Sequence, residues 1–215
     1  MRFGSAKTNI KPELVFDFDG TIADSYDFVF DIAEDLVRDF KLGEITPEMM
    51  EKARDVPLKN ALKKLGFKGF RLFLVSRRFQ RYLYNRLDEL KPVEGIREVL
   101  EELSKEYTLG ILSSNGEYII RYFLKEYKLE YFAYIKGGAS MQRKDRKLKR
   151  LMRKRKVDKK HMIYVGDEVR DIEAAKKAGI KIVAVTWGYN TPKILKEYEP
   201  DHIIDKPEDL LKLDL

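Results

Sequence analysis

Short apolar segments rich in β-branched and aromatic residues recur along the chain and predict strands. They lie at residues 14–18, 109–112, 134–135, 162–165, 182–185 and, more weakly, 202–204. Between most of them, apolar residues recur at helical spacing, as at Ile96, Val99, Leu100 and Leu103. Strands that alternate with helices in this way predict an α/β fold, in which helices cover both faces of a parallel sheet.

The interval between the first two predicted strands is much longer than the others. A crossover between parallel strands needs about a dozen residues or somewhat more, whereas residues 24–90 contain no convincing strand. Helical spacing recurs in this interval, at Phe28, Ile32 and Leu36 and again at Leu58, Ala61, Leu62 and Leu65. We therefore predict a helical cap at residues 24–90, inserted into an α/β core formed by residues 1–23 and 91–215.

The composition narrows the class of protein. A hydrophobic content of 44% in 215 residues fits a folded chain, and the absence of cysteine excludes disulfides, thiol catalysis and zinc–thiolate sites. No segment reaches the roughly 18 apolar residues of a membrane span. The first eleven residues lack the apolar core of a secretory signal. We therefore expect a cytoplasmic protein without a membrane partner.

The net charge of +7 comes largely from the basic segment 143–160. Such a segment can bind nucleic acid or anionic metabolites. However, Leu148, Leu151, Met152 and Val157 recur at helical spacing within it. The basic residues can therefore be the solvent-exposed side of an amphipathic helix, and this interpretation is favoured over a nucleic-acid partner.

Aspartates follow two of the predicted strands. Asp17 and Asp19 lie at the end of the first strand, while Asp167 follows the fourth strand and Asp171 lies one helical turn later. Ligand groups in parallel sheets collect at the carboxyl ends of the strands, and clustered carboxylates suit a hard cation such as Mg²⁺. The alternative is local: Asp17 can cap a helix after an Asp-Gly-Thr turn, and Asp171 can stabilise a helix N-terminus.

A second polar segment follows the strand at 109–112. It contains Ser113, Ser114, Asn115 and Gly116. A hydroxyl beside backbone N–H groups at a strand-to-helix turn can bind a phosphoryl oxygen. The same residues are also an ordinary helix start, so the segment by itself leaves both interpretations open.

The order of these segments resembles the haloacid dehalogenase superfamily. Asp-Phe-Asp-Gly-Thr at 17–21, Ser-Asn at 114–115, a later lysine and Gly-Asp-Glu-Val-Arg-Asp at 166–171 correspond to its four motifs. Within it, the chain is similar to the phosphoglycolate-phosphatase-like branch, in which a helical C1-type cap lies between the first and second motifs. The resemblance implies a Rossmann-like core.

The resemblance also implies roles for individual residues. Asp17 would be the nucleophile that forms an aspartyl-phosphate, and Asp19 the general acid and then the general base. The implied Mg²⁺ ligands and supporting carboxylates are Asp17, Asp19 (through its backbone carbonyl), Asp167 and Asp171. The residues that the resemblance implies around the substrate phosphate are Ser114, Asn115 and Lys144, together with Thr21, which supports the first loop.

The third motif departs from the family pattern, because many relatives carry Lys-Pro after the third strand and this chain has no such dipeptide there. The spacing favours Lys144, and Lys147 is the alternative. An acid at Asp19 separates phosphatases from the dehalogenases of the superfamily, since a departing halide requires no proton. The cations of the cap that could meet a second anionic group of the substrate are Arg54, Lys59, Arg71, Arg77, Arg78 and Arg81.

We therefore expect a Mg²⁺-dependent phosphatase that acts on a small phosphorylated metabolite, with phosphoglycolate as one candidate. A sugar-phosphate mutase shares the same catalytic residues and differs in the group that accepts the phosphoryl. A non-catalytic regulatory or nucleic-acid-binding protein on this fold is the less favoured alternative. The sequence allows a monomer or a homodimer.

Overall fold

The centre of the protein is a parallel sheet of six strands. The computed structural model describes residues 11–41, 43–57, 60, 69–138 and 143–214. The strands in this part are β1 (Glu13–Phe16), β2 (Ala23–Asp24), β3 (Lys91–Pro92), β4 (Thr108–Leu112), β5 (Phe132–Lys136), β6 (Met162–Gly166), β7 (Lys181–Val185) and β8 (His202–Ile204). The order in the large sheet is β5-β4-β1-β6-β7-β8, and every pairing in it is parallel. The α/β fold predicted from the sequence is confirmed.

Helices connect the strands and cover both faces of the sheet. They are α1 (Tyr26–Asp39), α2 (Pro47–Arg54), α3 (Gly69–Asn85), α4 (Ile96–Glu106), α5 (Glu117–Glu126), α6 (Lys144–Arg155), α7 (Val169–Ala178) and α8 (Pro192–Glu197). Short 3-10 helices occupy Leu87–Glu89, Lys159–His161 and Pro207–Lys212. Among the described helices, none is both long and apolar enough to cross a membrane.

Two apolar cores form because side chains alternate across the strands. Leu14 and Phe16 of β1 point into the core that contains α4 and α5. Val15 points to the other face, where it packs with residues of α6 and α7. β1 is therefore buried on both faces and lies between β4 and β6, so its carboxyl end is fixed from every side.

The basic segment forms a helix, as its apolar spacing predicts. Leu148, Leu151 and Met152 of α6 are buried, and the cations between them face solvent. At the end of α6, the Nε atom of Arg155 lies 2.8 Å from Oε1 of the buried Glu13 carboxylate. Burial of the apolar side of α6 accounts for the spacing without a nucleic-acid ligand.

The helices α1, α2 and α3 form the described part of the predicted cap. β2 and β3 flank them in the chain and pair antiparallel, with Ala23 opposite Pro92. The helical spacing of residues 58–65 falls outside the described residues, except Asn60. The division into a core at 1–23 and 91–215 and a cap at 24–90 stays a prediction.

Two of the predicted strands differ from the structure by two residues at one end, whereas three others differ by one residue at one end only. β1 ends at Phe16, so Asp17 and Phe18 belong to the following turn and not to the strand predicted at 14–18. β5 runs from Phe132 to Lys136 and is longer than the predicted 134–135. Both ends depend on pairing with neighbouring strands, which apolar periodicity does not report.

Candidate active site

The turn after β1 presents Asp17 and Asp19 at the carboxyl end of the sheet. The Asp17 N–H still donates to the carbonyl of Val165 at 2.8 Å, so its backbone remains tied to β6. The chain then turns sharply, and the carbonyl of Phe18 accepts from the N–H groups of Ile22 and Ala23. Gly20 has φ +67°, a conformation that favours glycine.

Three buried carboxylates from distant parts of the chain meet at this edge. Asp17, Asp167 and Asp171 each offer an oxygen, and these oxygens all lie within 4.8 Å of one another. Burial raises the pKa of Asp167 well above its ordinary value, and repulsion from Glu168 and Asp171 adds to the shift. Burial, opposed by Lys144, also raises the pKa of Asp171. Oxygen donors under such repulsion fit Mg²⁺, because a divalent cation would relieve it.

Lys144 lies between two of these carboxylates. Its Nζ atom is 2.6 Å from Asp17 Oδ2 and 2.6 Å from Asp171 Oδ1, and all three side chains are buried. Burial by itself would lower the pKa of the Lys144 ammonium. Attraction to Asp17 and Asp171 outweighs this effect, so the pKa of Lys144 is raised. Lys147, the alternative, is half-buried, and its Nζ atom donates to the Gly138 carbonyl at 2.9 Å. The geometry therefore brings Lys144, and not Lys147, to the acidic cluster.

Asp19 has a different environment from Asp17. Its Oδ1 accepts a hydrogen bond from Asn115 Nδ2 at 3.2 Å, so the segment after β4 contacts the first loop. Burial raises the pKa of Asp19 to about 6, repulsion from Asp17 adds to this, and the Asn115 hydrogen bond lowers it. A carboxyl with this pKa can exchange a proton near neutral pH.

Thr21 supports the first loop from within. Its hydroxyl donates to Asp167 Oδ1 at 3.1 Å, and its carbonyl accepts from Trp187 Nε1 at 3.2 Å. Tyr189 N donates to the other oxygen, Asp167 Oδ2, at 2.7 Å. Asp167 is therefore held by the first loop and by the loop that follows β7.

The two serines after β4 have different positions. Ser113 is buried, and its hydroxyl accepts from Asn115 N at 3.0 Å. Ser114 is half-buried and, with Gly116 and Gly138, lines a cleft of about 1270 Å³ between the core and the cap helices α1 and α3. The sequence analysis identified Ser114 and not Ser113, and the two hydroxyls thus face different surroundings.

Sequence reasoning assigned no role to two charged residues inside the fourth motif. Glu168 is buried and pairs with Arg170, with Oε1 2.5 Å from Nη2. Burial raises the pKa of Glu168 to about 7 even though Arg170 opposes the shift. Among the described residues, the buried Nε and Nη1 atoms of Arg170 have no hydrogen-bond partner. Both residues belong to the string Gly-Asp-Glu-Val-Arg-Asp, but only the structure shows that they form an ion pair inside the protein.

The loop after β7 joins the cap to the core, which the sequence analysis also missed. Arg54, the last residue of α2, donates through Nε to the Tyr189 carbonyl at 2.9 Å and through Nη2 to the Gly188 carbonyl at 3.2 Å. A Cβ atom on Gly188 would overlap Asp167 and the carbonyl of Gly20. Close approach to the acidic cluster thus requires glycine here.

Known proteins have sequences and folds similar to those of this chain. A family model described as haloacid dehalogenase-like hydrolase matches residues 14–185. A phosphoglycolate phosphatase of Synechococcus elongatus is 34% identical over 201 residues, which cover 93% of this chain and 95% of that protein. The pyrophosphatase PpaX of Listeria welshimeri is 26% identical, with 93% and 94% covered.

The fold comparison agrees with the sequence comparison. A haloacid dehalogenase-like family hydrolase from Streptococcus pneumoniae superposes with a TM-score of 0.81 at 22% identity, and the match covers 94% of this chain and 97% of that one. The family model covers most of the chain, and the three residues of the acidic cluster all lie within the residues that it matches. The chain therefore belongs to the haloacid dehalogenase-like hydrolase family.

Proposed function

We propose that this protein is a Mg²⁺-dependent phosphatase that hydrolyses a small phosphate monoester through an aspartyl-phosphate on Asp17. The observation that carries the proposal is the contact of Lys144 with Asp17 beside two further buried carboxylates. A nucleophilic carboxylate needs positive charge around it before it can approach a phosphate dianion. The cluster supplies one cation and the oxygen ligands for another.

Lys144 and Asp17 would act together in the first transfer. The Lys144 ammonium neutralises charge on the phosphoryl oxygens while Asp17 attacks the phosphorus atom and the ester bond to the leaving oxygen breaks. Asp17, Asp167 and Asp171 would hold Mg²⁺, with the Asp19 backbone carbonyl as a further ligand. Bound there, the ion supplies charge neutralisation and alignment of the phosphoryl group.

Asp19 would carry the proton in both steps. It donates a proton to the leaving oxygen in the first step, and it accepts a proton from the water that attacks the aspartyl-phosphate in the second, which releases inorganic phosphate. A pKa of about 6, raised mainly by burial, lets the same carboxyl serve in both forms near neutral pH. Asn115 would orient it through the 3.2 Å hydrogen bond.

The cleft beside Ser114 would receive the leaving group. Arginines line this cleft, so they favour a leaving group that carries a negative charge. Arg54 binds the loop after β7, and Arg78, which also lines the cleft, pairs with Asp39 at 2.9 Å. Arg77 and Arg81 of α3 line the cleft opposite Ser114. Lys59 and the side chain of Arg71 fall outside the described part of the chain.

Two substrates follow from these features and from the names of the relatives. Phosphoglycolate carries a carboxylate and pyrophosphate a second phosphoryl group, so each presents an anion to Arg77 and Arg81. We rank phosphoglycolate first because the phosphoglycolate phosphatase of Synechococcus elongatus has the higher identity of the two relatives described above. A cytoplasmic location and a monomeric or homodimeric state stay predictions.

The experiment measures release of inorganic phosphate from p-nitrophenyl phosphate, phosphoglycolate, pyrophosphate and a sugar phosphate, with Mg²⁺ and with EDTA. We expect Mg²⁺-dependent hydrolysis, with kcat/KM highest for a dianionic ester that carries a second anion. Arg81→Ala should raise KM for phosphoglycolate about tenfold or more and leave p-nitrophenyl phosphate within about threefold. Lys125→Ala on the exposed side of α5 is the control.

The same assay separates the alternatives. A mutase would convert the sugar phosphate into an isomer and release little phosphate. Turnover of no ester in either condition, together with tight duplex binding, would favour the non-catalytic protein instead. Equal loss for both esters in Arg81→Ala would contradict the proposed anion-binding wall and leave the phosphatase chemistry intact.

A further inference from the structure

Asn190 is a fully buried polar residue that the proposed chemistry does not use. It lies in the loop after β7, and its side chain makes hydrogen bonds in two directions. Oδ1 accepts from the Val169 N–H at 2.8 Å. Nδ2 donates to the carbonyl of Arg54 at 2.7 Å and to that of Val56 at 3.3 Å.

The first direction leads to the acidic cluster. Val169 is the first residue of α7, between Asp167 and Asp171, and its N–H is one of the helix N-terminal donors that lack an intrahelical acceptor. The backbone N–H of Asn190 also donates to the Asp167 carbonyl at 3.3 Å. Asn190 therefore fixes the segment that carries two of the three clustered carboxylates.

The second direction leads to the cap. Arg54 ends α2, and Val56 follows it in the chain, so both acceptors of Nδ2 belong to the predicted cap. The Arg54 guanidinium adds two hydrogen bonds to the same loop, and the Tyr189 hydroxyl donates to the Ala53 carbonyl at 3.1 Å. A backbone N–H on one side and two carbonyls on the other allow only one orientation of the amide.

We propose that Asn190 is a positioning residue that couples the position of the cap to the geometry of the acidic cluster. Any ligand that orders the cluster then also stabilises the end of α2, and by thermodynamic reciprocity a docked cap favours that ligand. The coupling follows from one amide that is hydrogen-bonded to both elements, with its donors and acceptor satisfied inside the protein. The inference rests on the proposed Mg²⁺ site.

Asn190→Asp tests the coupling because an ionised aspartate keeps the acceptor for the Val169 N–H and loses the donor toward Arg54 and Val56. It also adds one negative charge, which the uncharged Asn190→Ser controls for. Asp55→Ala is the matched control, since it removes the exposed Thr191 Oγ1 to Asp55 Oδ1 contact at the same interface. Asn190→Ser is a second variant, because its shorter side chain cannot reach both elements at once.

The readouts are Mg²⁺ affinity by calorimetry and amide hydrogen exchange in α2 and α7. In the wild-type protein, Mg²⁺ alone should slow exchange in both helices. In Asn190→Asp, α7 should keep this protection, whereas exchange in α2 should rise on the order of tenfold and no longer respond to Mg²⁺. KM for p-nitrophenyl phosphate should rise more than kcat falls, and Asp55→Ala should resemble the wild type.

Each contrary result has a distinct meaning. Binding of Mg²⁺ that does not protect α2 in the wild type would overturn the coupling alone. The same holds if α2 keeps its full Mg²⁺ response in both Asn190→Asp and Asn190→Ser. Absence of Mg²⁺ binding by the wild-type protein would overturn the proposed metal site and this inference together.

Discussion

Lys144 and Asp17 lie 127 positions apart in the chain, yet their side chains form a buried ion pair at 2.6 Å. The same ammonium also contacts Asp171 at 2.6 Å. A buried ion pair is expensive to form, and removal of one partner leaves a buried charge uncompensated. The arrangement is therefore better explained by a need for positive charge beside Asp17 than by a contribution to stability.

This relationship predicts a large difference between two neighbouring lysines. Lys144→Ala should lower kcat about 10²–10³-fold, because it removes charge stabilisation from the transferring phosphoryl group. Lys147→Ala should change kcat less than about threefold, since its Nζ atom donates to the Gly138 carbonyl and not to the acidic cluster. Steady-state hydrolysis of p-nitrophenyl phosphate measures kcat for both variants. A larger loss in Lys147→Ala than in Lys144→Ala would exclude Lys144 as the lysine of the third motif.

Asp17→Asn tests the nucleophile. The amide cannot attack phosphorus, so kcat should fall on the order of 10⁴-fold or more. The substitution preserves shape, lowers repulsion within the cluster and leaves Asp171 to compensate the Lys144 ammonium, so the melting temperature without Mg²⁺ should not fall by more than a few degrees. Circular dichroism confirms the fold, and substantial remaining hydrolysis in a folded variant would show that another group attacks.

Asn115→Ala should change the pH dependence of the first step. The hydrogen bond from Asn115 lowers the pKa of Asp19, which lies at about 6 because burial raises it. Loss of a hydrogen bond to a charged group costs about 1.5–3 kcal/mol, so the Asp19 pKa should rise by roughly one to two units. Asp19 then stays protonated to higher pH.

Single-turnover release of phenol from phenyl phosphate across pH 5 to 9 measures this shift, because phenolate is basic enough to need a proton from a general acid. The alkaline limb of the profile should move upward in Asn115→Ala. Tyr122→Ala, on the exposed face of α5, serves as the control. An unchanged limb would mean that Asp19 does not supply the proton.

Stability without a metal should depend on pH through the buried carboxyls. Burial is the main cause that raises the pKa of Asp19 to about 6 and of Glu168 to about 7, above the ordinary values of about 4. The unfolded chain ionises these groups more readily, so the metal-free protein should lose stability as pH rises from about 4 through 7.

Mg²⁺ should reverse this trend. It binds the ionised carboxylates of the folded state, and at 100 times Kd it adds about 2.7 kcal/mol. Thermal melts at pH 5 and pH 8, with Mg²⁺ or EDTA, should therefore show a larger Mg²⁺ effect at pH 8. Asp167→Asn should remove most of that effect, and an equal Mg²⁺ effect in the variant would contradict the assignment of Asp167 as a ligand.

A further prediction concerns stability away from the site. Glu13 is buried in β1, where Arg155 Nε and the Tyr134 hydroxyl reach its two oxygens at 2.8 and 2.7 Å. Arg155→Ala should lower the free energy of unfolding by about 1–3 kcal/mol, because the carboxylate loses a charged donor. Urea denaturation measures this, with the exposed Lys154→Ala as the control and an unchanged kcat expected in both variants.

The sequence predicted the site best where acidic residues directly follow predicted strands. Asp17, Asp167 and Asp171 each follow an apolar strand at a distance that the parallel topology brings to one edge, so their convergence could be predicted. Lys144 was harder to identify from the sequence, because the segment 143–160 contains eleven other lysines and arginines. Burial on α6 separates it from Lys147, and burial depends on how the helix rotates against the sheet.

Other parts of the site could not be predicted for the same reason. Asn190 and Gly188 lie in an ordinary-looking Trp-Gly-Tyr-Asn loop, and their partners are more than 130 positions away in α2. The pairing of Glu168 with Arg170 follows from the turn that starts α7. Local periodicity carries no information about such contacts. The contacts of Asn190 and Gly188 with α2 exist only once the cap has docked, and the pair of Glu168 with Arg170 exists only once α7 has formed.

The position of β1 has a consequence for how the protein reaches its native state. This strand precedes the others of the large sheet in the chain but lies between β4 and β6, which begin at residues 108 and 162. Both edges of this apolar strand are unpaired until β4 has been synthesised, and one edge stays unpaired until β6 follows. A nascent or truncated chain that ends before residue 166 should therefore need chaperone protection.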